Sequence, residues 1–180
     1  MYCLLVKGEG MLIKDAAREA AEDALATHWK GQPFPVDPFA IAEKMGIRAS
    51  LRSLDPDTSG MIIARLRTQP EIFVEASDTW PRQRFTCAHE LGHFVERTQS
   101  AGDLREGFAF VDRRTSKTDI HEFYANEFAA NLLMPADEVR RLEAEGMTLI
   151  RMAGHFGVSV PAMEVRLRRL GIALVAPASR

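Results

Sequence analysis

The amino-acid sequence predicts an α+β fold, in which a small antiparallel sheet packs against helices and a helical extension follows. Short apolar stretches separated by turn residues lie within 47–76, and segments with helical periodicity flank them on both sides. Of the 180 residues, 46% are hydrophobic and 27% are charged, which is typical of a folded globular protein and not of disorder. This length is enough for one domain with a sizeable core.

Helical and strand signals follow one another in the first half of the chain. Residues 14–29 are rich in alanine with interspersed charges, which predicts an exposed amphipathic helix. A short helix is expected at 38–45, because Asp37 can cap it and a proline fits its first turn. The alternation of apolar and polar residues in 47–53 predicts a half-buried strand, and two apolar pieces within 61–76 predict a hairpin.

The second half of the chain is predicted to be mainly helical. We expect one helix at about 80–96, a short strand at 108–111 and a second long helix at about 120–134. Three short helices follow, and Thr148 and Ser159 are candidate caps for the last two.

Residues 135–180 are expected to form a helical extension packed on a main domain of residues 1–134. Two of its helices have the outline of a helix-turn-helix, in which Arg166, Arg168 and Arg169 are candidate phosphate contacts. Nearby glutamates dilute this positive charge, and the net charge of the chain is −2. The favoured interpretation is therefore a structural helical hairpin, and not direct DNA binding.

The cysteines and the apolar runs indicate a cytoplasmic protein. Cys3 and Cys87 are too few for a disulfide framework, so we expect reduced thiols, with Cys87 as a small buried side chain. The apolar run Cys3–Val6 is too short for a signal peptide, and no run approaches the roughly 18 to 20 residues of a membrane span.

The stretch 85–94, FTCAHELGHF, carries the main chemical signal of the chain. His89 and His93 are four residues apart, so on a helix both rings lie on one face and can bind the same Zn²⁺. Glu90 is rotated by about 100° from His89, which places its carboxylate beside the metal as a general base. A surface helix with two unrelated histidines is the competing interpretation.

A catalytic zinc site needs a third protein ligand. The metzincin continuation of the motif is excluded, because Glu96 and Gln99 occupy the positions of its glycine and histidine. A glutamate from the second long helix is the remaining common solution, and 28 residues separate His93 from Glu122. Asn126 lies one turn after Glu122 and could hydrogen-bond the outer nitrogen of a ligating histidine. The same segment also fits an ordinary core helix.

These motifs together resemble the ImmA/IrrE family of zinc metallopeptidases. HELGH follows Arg84-Phe85-Thr86, and the pattern E-x-x-A-N-x-F-A-A-x-L-L-M-P begins at Glu122. The resemblance extends from about Asp37 to Gly171. It implies a zincin-like domain whose site is similar in layout to that of thermolysin.

The resemblance also implies roles for individual residues. Three side chains become the zinc ligands: His89, His93 and Glu122. Glu90 becomes the catalytic glutamate, while His121 and Glu127 are alternative third ligands. Tyr124, His155 and the arginines near the motif are candidates for stabilising the oxyanion of peptide hydrolysis.

The implied function is that of a cytoplasmic zinc endopeptidase. Because the best-known members of the family cleave a helix-turn-helix repressor, the expected partner is such a repressor or an antitoxin, with no membrane partner. The alternative is a zinc-containing interaction module that sequesters the repressor without hydrolysis. Manganese or iron could chemically replace zinc at such a site.

Overall fold

The computed structural model describes residues 12–101, 108–113 and 119–173 and has an α+β fold, which confirms the predicted fold class. The elements of the described residues follow in this order: α1 (Ile13–His28), α2 (Pro38–Lys44), β1 (Arg48–Arg52), β2 (Thr58–Ala64), β3 (Glu71–Glu75), α3 (Trp80–Ala101), β4 (Phe108–Arg113), α4 (Ile120–Leu133), α5 (Ala136–Ala144), α6 (Leu149–Phe156) and α7 (Val160–Arg169).

The four strands of the described residues form one mixed sheet in the order β1-β3-β2-β4. β2 and β3 form the predicted antiparallel hairpin, with Ile62 opposite Ile72, and β4 lies antiparallel on the other side of β2. The expectation of a wholly antiparallel sheet is corrected at β1, which runs parallel to β3. In the sheet, β3 lies between β1 and β2. The sequence could not predict the direction of β1, because the alternation of apolar and polar residues is the same in parallel and antiparallel strands.

Capping residues locate the helix starts well. The side chain of Asp37 accepts a hydrogen bond from the backbone N–H of Phe39 at 2.9 Å, directly before α2. Ser159 accepts one from the N–H of Ala162 at 3.3 Å at the start of α7. Thr148 precedes α6 as predicted, but its side chain makes no capping hydrogen bond, so that part of the prediction is corrected.

The core lies between the inner face of the sheet and the helices. Ile62, Ile72 and Val74 of the sheet are fully buried, and so is Cys87 of α3, as predicted. α1 was predicted to be exposed, but it packs on α4 through four buried alanines: Ala17, Ala20, Ala21 and Ala24. Across the described ranges, every helix is too short or too polar to cross a membrane.

α3 is the central helix, and it is longer than predicted. It extends to Ala101 and does not end near Glu96. The hydroxyl of Thr98 donates to the carbonyl of Phe94 at 2.9 Å. Threonine is common in loops, but here its side chain hydrogen-bonds to the preceding turn of the same helix. Within α3, a Cβ on Gly92 would lie 2.9 Å from the Cα of Ala125 in α4. The two helices therefore pack backbone to backbone, which fixes the side chains on their facing surfaces.

Arg84 of α3 joins three separate parts of the chain. Its buried guanidinium donates to the carbonyl of Phe156 at 2.8 Å and also to the carbonyls of Gly157 and Val36. The guanidinium carbon lies 4.6 Å from the ring centroid of Trp80. Burial lowers the pKa of Arg84 to about 10, so the group is still charged at neutral pH and is satisfied by backbone oxygens.

Arg166 attaches α7 to the end of α4 in the same way. It is 4% exposed and donates to the carbonyl of Met134 at 2.9 Å and to Oδ1 of Asn131 at 2.8 Å. Arg169 pairs with Glu127 of α4. Arg166, one of the three candidate phosphate contacts, therefore uses these donors inside the fold. The division of the chain at residue 135 stays a prediction.

Candidate metal centre

Two helices carry the side chains of a candidate metal centre. His89 and His93 lie one turn apart on the same face of α3. Glu122 lies in the first turn of α4, where Oδ1 of Asp119 accepts hydrogen bonds from the backbone N–H of His121 at 2.9 Å and of Glu122 at 3.0 Å. The close packing of α3 on α4 brings Glu122 opposite the two rings.

The donor atoms of the three side chains converge. Nε2 of His89 lies 3.0 Å from Nε2 of His93, and each of these nitrogens lies 3.3 Å from a carboxylate oxygen of Glu122. The two histidines are 4% and 1% exposed, while Glu122 is only partly buried. The carboxylate is therefore the member of the group nearest to solvent.

This geometry fits a bound cation better than hydrogen bonding alone. A neutral imidazole has one N–H, yet the two Nε2 atoms face each other and the carboxylate at the same time. Ligands at about 2.0–2.1 Å from a tetrahedral zinc lie about 3.3 Å from one another. The observed separations of 3.0, 3.3 and 3.3 Å are close to that value. Two imidazoles and one carboxylate are also a common ligand set of catalytic zinc.

The charge of the group favours a cation as well. Hydrogen bonds from His89 and then from His93 hold the pKa of the Glu122 carboxyl well below its ordinary value of 4.5. Glu122 is therefore a carboxylate at neutral pH, which is the form that binds a metal ion.

The two alternative third ligands are directed elsewhere. Nδ1 of His121 donates to Oε1 of Glu96 at 3.0 Å. Glu127 pairs with Arg169 on α7. Among these acidic and histidine side chains of α4, the structure brings Glu122 to the two rings.

Comparison with known families agrees with this geometry. Residues 42–168 match Peptidase_M78, described as the IrrE N-terminal-like domain, and this range is more than half of the chain. The chain belongs to the Peptidase_M78 family. This confirms the ImmA/IrrE resemblance seen in the sequence. Because M78 peptidases are metal-dependent, membership supports a metallopeptidase-type role.

A solved structure of a longer protein contains a similar fold. This Peptidase_M78 protein is similar to a Mycobacterium tuberculosis transcriptional regulator, with a TM-score of 0.56 and 16% sequence identity. The similarity covers 92% of this chain and 48% of that one, so the chain spans about half the length of the regulator. At this identity the likeness shows the fold alone. No curated protein matches the chain.

Glu90, the predicted general base of this Peptidase_M78 protein, lies against the sheet. It is fully buried, and its Oε1 would lie 3.1 Å from a Cβ placed on Gly60 of β2. The same Cβ would clash with Cγ2 of Thr86, so the backbone of β2 borders the carboxylate directly. Sequence reasoning missed Gly60, because the segment 55–60, DPDTSG, indicated a turn, whereas β2 already begins at Thr58. The catalytic role of Glu90 stays a prediction.

Phe110 of β4 supports a ligand ring and was also missed. Its ring stacks on that of His93, with centroids 4.7 Å apart and planes 8° apart. Nδ1 of His93 is buried and has no hydrogen-bond partner among the described residues, so the support expected from Asn126 does not reach this nitrogen. The sequence predicted the strand that holds Phe110, but it carried no signal that the strand lies beside His93.

Three of the side chains considered for oxyanion stabilisation, those of Tyr124, His155 and Arg84, make contacts elsewhere. The hydroxyl of Tyr124 donates to Oε1 of Gln99 at 3.4 Å. His155 pairs with Glu138 at 2.9 Å in the C-terminal helices. Arg84 is buried among backbone carbonyls. In the part of the chain that the structure describes, none of these hydrogen bonds joins the three side chains to the metal centre.

Proposed function

We propose that this chain is a zinc-dependent endopeptidase that hydrolyses a specific protein partner. One observation carries the proposal, namely the convergence of His89, His93 and Glu122 on one point in a member of a peptidase family. Zinc is the proposed ion because two imidazoles and one carboxylate are the ligands of well-known zinc peptidases.

In the proposed mechanism each residue has one task. His89, His93 and Glu122 hold the ion. When bound, zinc polarises the scissile carbonyl and lowers the pKa of a water to about 7. Glu90 takes the proton from the attacking water and returns it to the leaving amine nitrogen. The burial of Glu90 beside Gly60 restricts the access of bulk water to the carboxylate, so the proton stays with the reacting groups.

The proposed substrate is a helix-turn-helix transcriptional repressor or an antitoxin in the cytoplasm. The resemblance to the ImmA/IrrE family supports this choice, since its best-known members cleave such a repressor. A protein of similar fold is itself described as a transcriptional regulator, which is consistent with a role in gene regulation.

The substitution Glu90→Gln tests the chemistry apart from metal binding. Glutamine has nearly the same shape but cannot accept the proton, so cleavage should slow by about 100- to 10,000-fold. The assay uses a candidate helix-turn-helix repressor as the substrate and follows the loss of its intact form by mass spectrometry. Zinc content should remain at the wild-type value, because none of the three ligands changes.

Glu127→Gln is the matched control, since it makes the same chemical change on α4 away from the three donor atoms. It should cleave at the wild-type rate. A Glu90→Gln protein that cleaves as fast as wild type would contradict the mechanism.

One observation favours a second candidate, an interaction module that sequesters the repressor without cutting it. Tyr124, His155 and Arg84, three of the side chains considered for the oxyanion, make their contacts elsewhere among the described residues. If this candidate is correct, the partner stays intact after long incubation while repression is lost. Cleavage of the partner that depends on Glu90 would exclude it.

A further inference from the structure

Among the described residues, two polar contacts connect α3 and α4 on the C-terminal side of the ligand histidines. Nδ1 of His121 donates to Oε1 of Glu96 at 3.0 Å, and the hydroxyl of Tyr124 donates to Oε1 of Gln99 at 3.4 Å. Both contacts join residues 25 positions apart, so they are successive links between the same two helices. Only the first is next to the metal centre, because His121 directly precedes Glu122.

Glu96 is placed to act on both ligand-bearing helices. It lies three residues after His93 on α3, so the two side chains are neighbours on the helix surface. The side chain of Glu96 is 18% exposed and that of His121 is 54% exposed, so the hydrogen bond lies at the edge of the contact between the two helices.

Glu122 needs this restraint because its helix has just begun. The cap from Asp119 fixes the backbone of Glu122, with a hydrogen bond of 3.0 Å, but it does not join that turn to α3. The hydrogen bond between His121 and Glu96 connects α4 to α3 one residue before Glu122. A metal ligand must be held within about 0.5 Å of its productive position, which a single cap does not ensure.

We propose that Glu96 and His121 are a positioning pair, which holds Glu122 at the correct distance from His89 and His93. The proposal rests on the zinc centre of the proposed function. The pair acts through Glu122, so its loss should weaken metal binding and leave the fold intact.

The test measures the affinity for Zn²⁺ alone, by competition with a chromophoric chelator. Glu96→Ala and His121→Ala should each weaken binding by about 10- to 100-fold, the usual effect of removing a group that orients a ligand. Glu96→Gln should restore most of the affinity, since its amide oxygen accepts the same hydrogen bond. The double alanine variant should be no weaker than the weaker single variant, because both changes break one contact.

Gln99→Ala is the matched control, because it removes the acceptor of the other link from the same helix. Its zinc affinity should equal that of wild type, and the metal-free forms of Glu96→Ala and Gln99→Ala should melt at the same temperature. Wild-type affinity in Glu96→Ala would overturn the proposal. An equal loss of affinity in both variants would overturn it too, since helix packing alone would then explain the effect.

These readouts separate the pair from the peptidase function. A wild-type chain that binds zinc without cutting its partner would contradict the endopeptidase proposal but leave the test of the pair valid. A wild-type chain that binds no zinc would overturn both.

Discussion

The metal centre and the attachment of the C-terminal helices both bury polar side chains between helices, but they satisfy these side chains differently. The donors of Arg84 and Arg166 meet acceptors of the chain itself, mainly backbone carbonyls. His89, His93 and Glu122 instead direct their donor atoms at one another, with too few protons to join them. Buried polar groups that are satisfied internally serve stability, whereas groups that need an added cation indicate function.

Loss of the carboxylate ligand should give the largest effect. Glu122→Ala removes one of three ligands, so zinc affinity should fall by more than about 100-fold, since even groups outside the ligand set change it 10- to 100-fold. Cleavage of the partner should be lost with the metal. Chelator competition and a cleavage assay on the same protein measure both effects.

The control for this variant is Glu127→Ala, on the same helix. It breaks only the pair with Arg169, which is worth about 1 kcal/mol or less, and it should keep zinc and activity. If Glu127→Ala lost zinc as strongly as Glu122→Ala, the third ligand would be wrongly assigned.

Removal of a buried arginine should lower the stability of the fold and leave the zinc affinity unchanged. Arg166→Met fills a similar volume but loses two hydrogen bonds from a charged group, so the free energy of unfolding should fall by about 2 kcal/mol. Denaturant unfolding measures this loss. Zinc affinity should not change.

Arg168→Met provides the matched comparison, since Arg168 is exposed on the same helix. It should change stability by less than about 0.5 kcal/mol. A large loss of zinc affinity in Arg166→Met would show that the two regions are not separable.

The smallest expected effect concerns the strand that borders Glu90. Gly60→Ala should destabilise the protein by about 1 to 2 kcal/mol, because the added methyl group overlaps Cγ2 of Thr86. Cleavage should slow, because the same methyl group presses on Glu90. The double variant Gly60→Ala with Thr86→Ser lacks the overlapping carbon and should recover stability, while cleavage stays slow because the methyl group still lies against Oε1 of Glu90. A double variant as unstable as Gly60→Ala would mean that the loss of stability does not come from the overlap with Thr86.

Local features of the fold could be predicted from the sequence because single residues determine them. Asp37 caps α2, and Gly46 with a φ of 77° follows its end, so the sequence predicted both where that helix begins and where it ends. The spacing of four residues between His89 and His93 likewise predicted that both rings lie on one face of α3. These interactions span only a few residues, which sequence patterns report directly.

The remaining features depend on parts of the chain that are distant in sequence. The direction of β1 depends on which strand lies beside it, and the burial of Arg166 depends on Asn131 and Met134. On α4, spacing alone did not separate Glu122 from His121 and Glu127. Their separate contacts became visible only when α3, α4 and α7 were packed together.

The most direct measurement is a crystal structure of the zinc-soaked protein with anomalous data at the zinc edge. We expect one peak at about 2.0–2.2 Å from Nε2 of His89, Nε2 of His93 and a carboxylate oxygen of Glu122. The absence of a peak there, or a Glu122 carboxylate turned away from the two rings, would contradict the metal centre on which the proposed function depends.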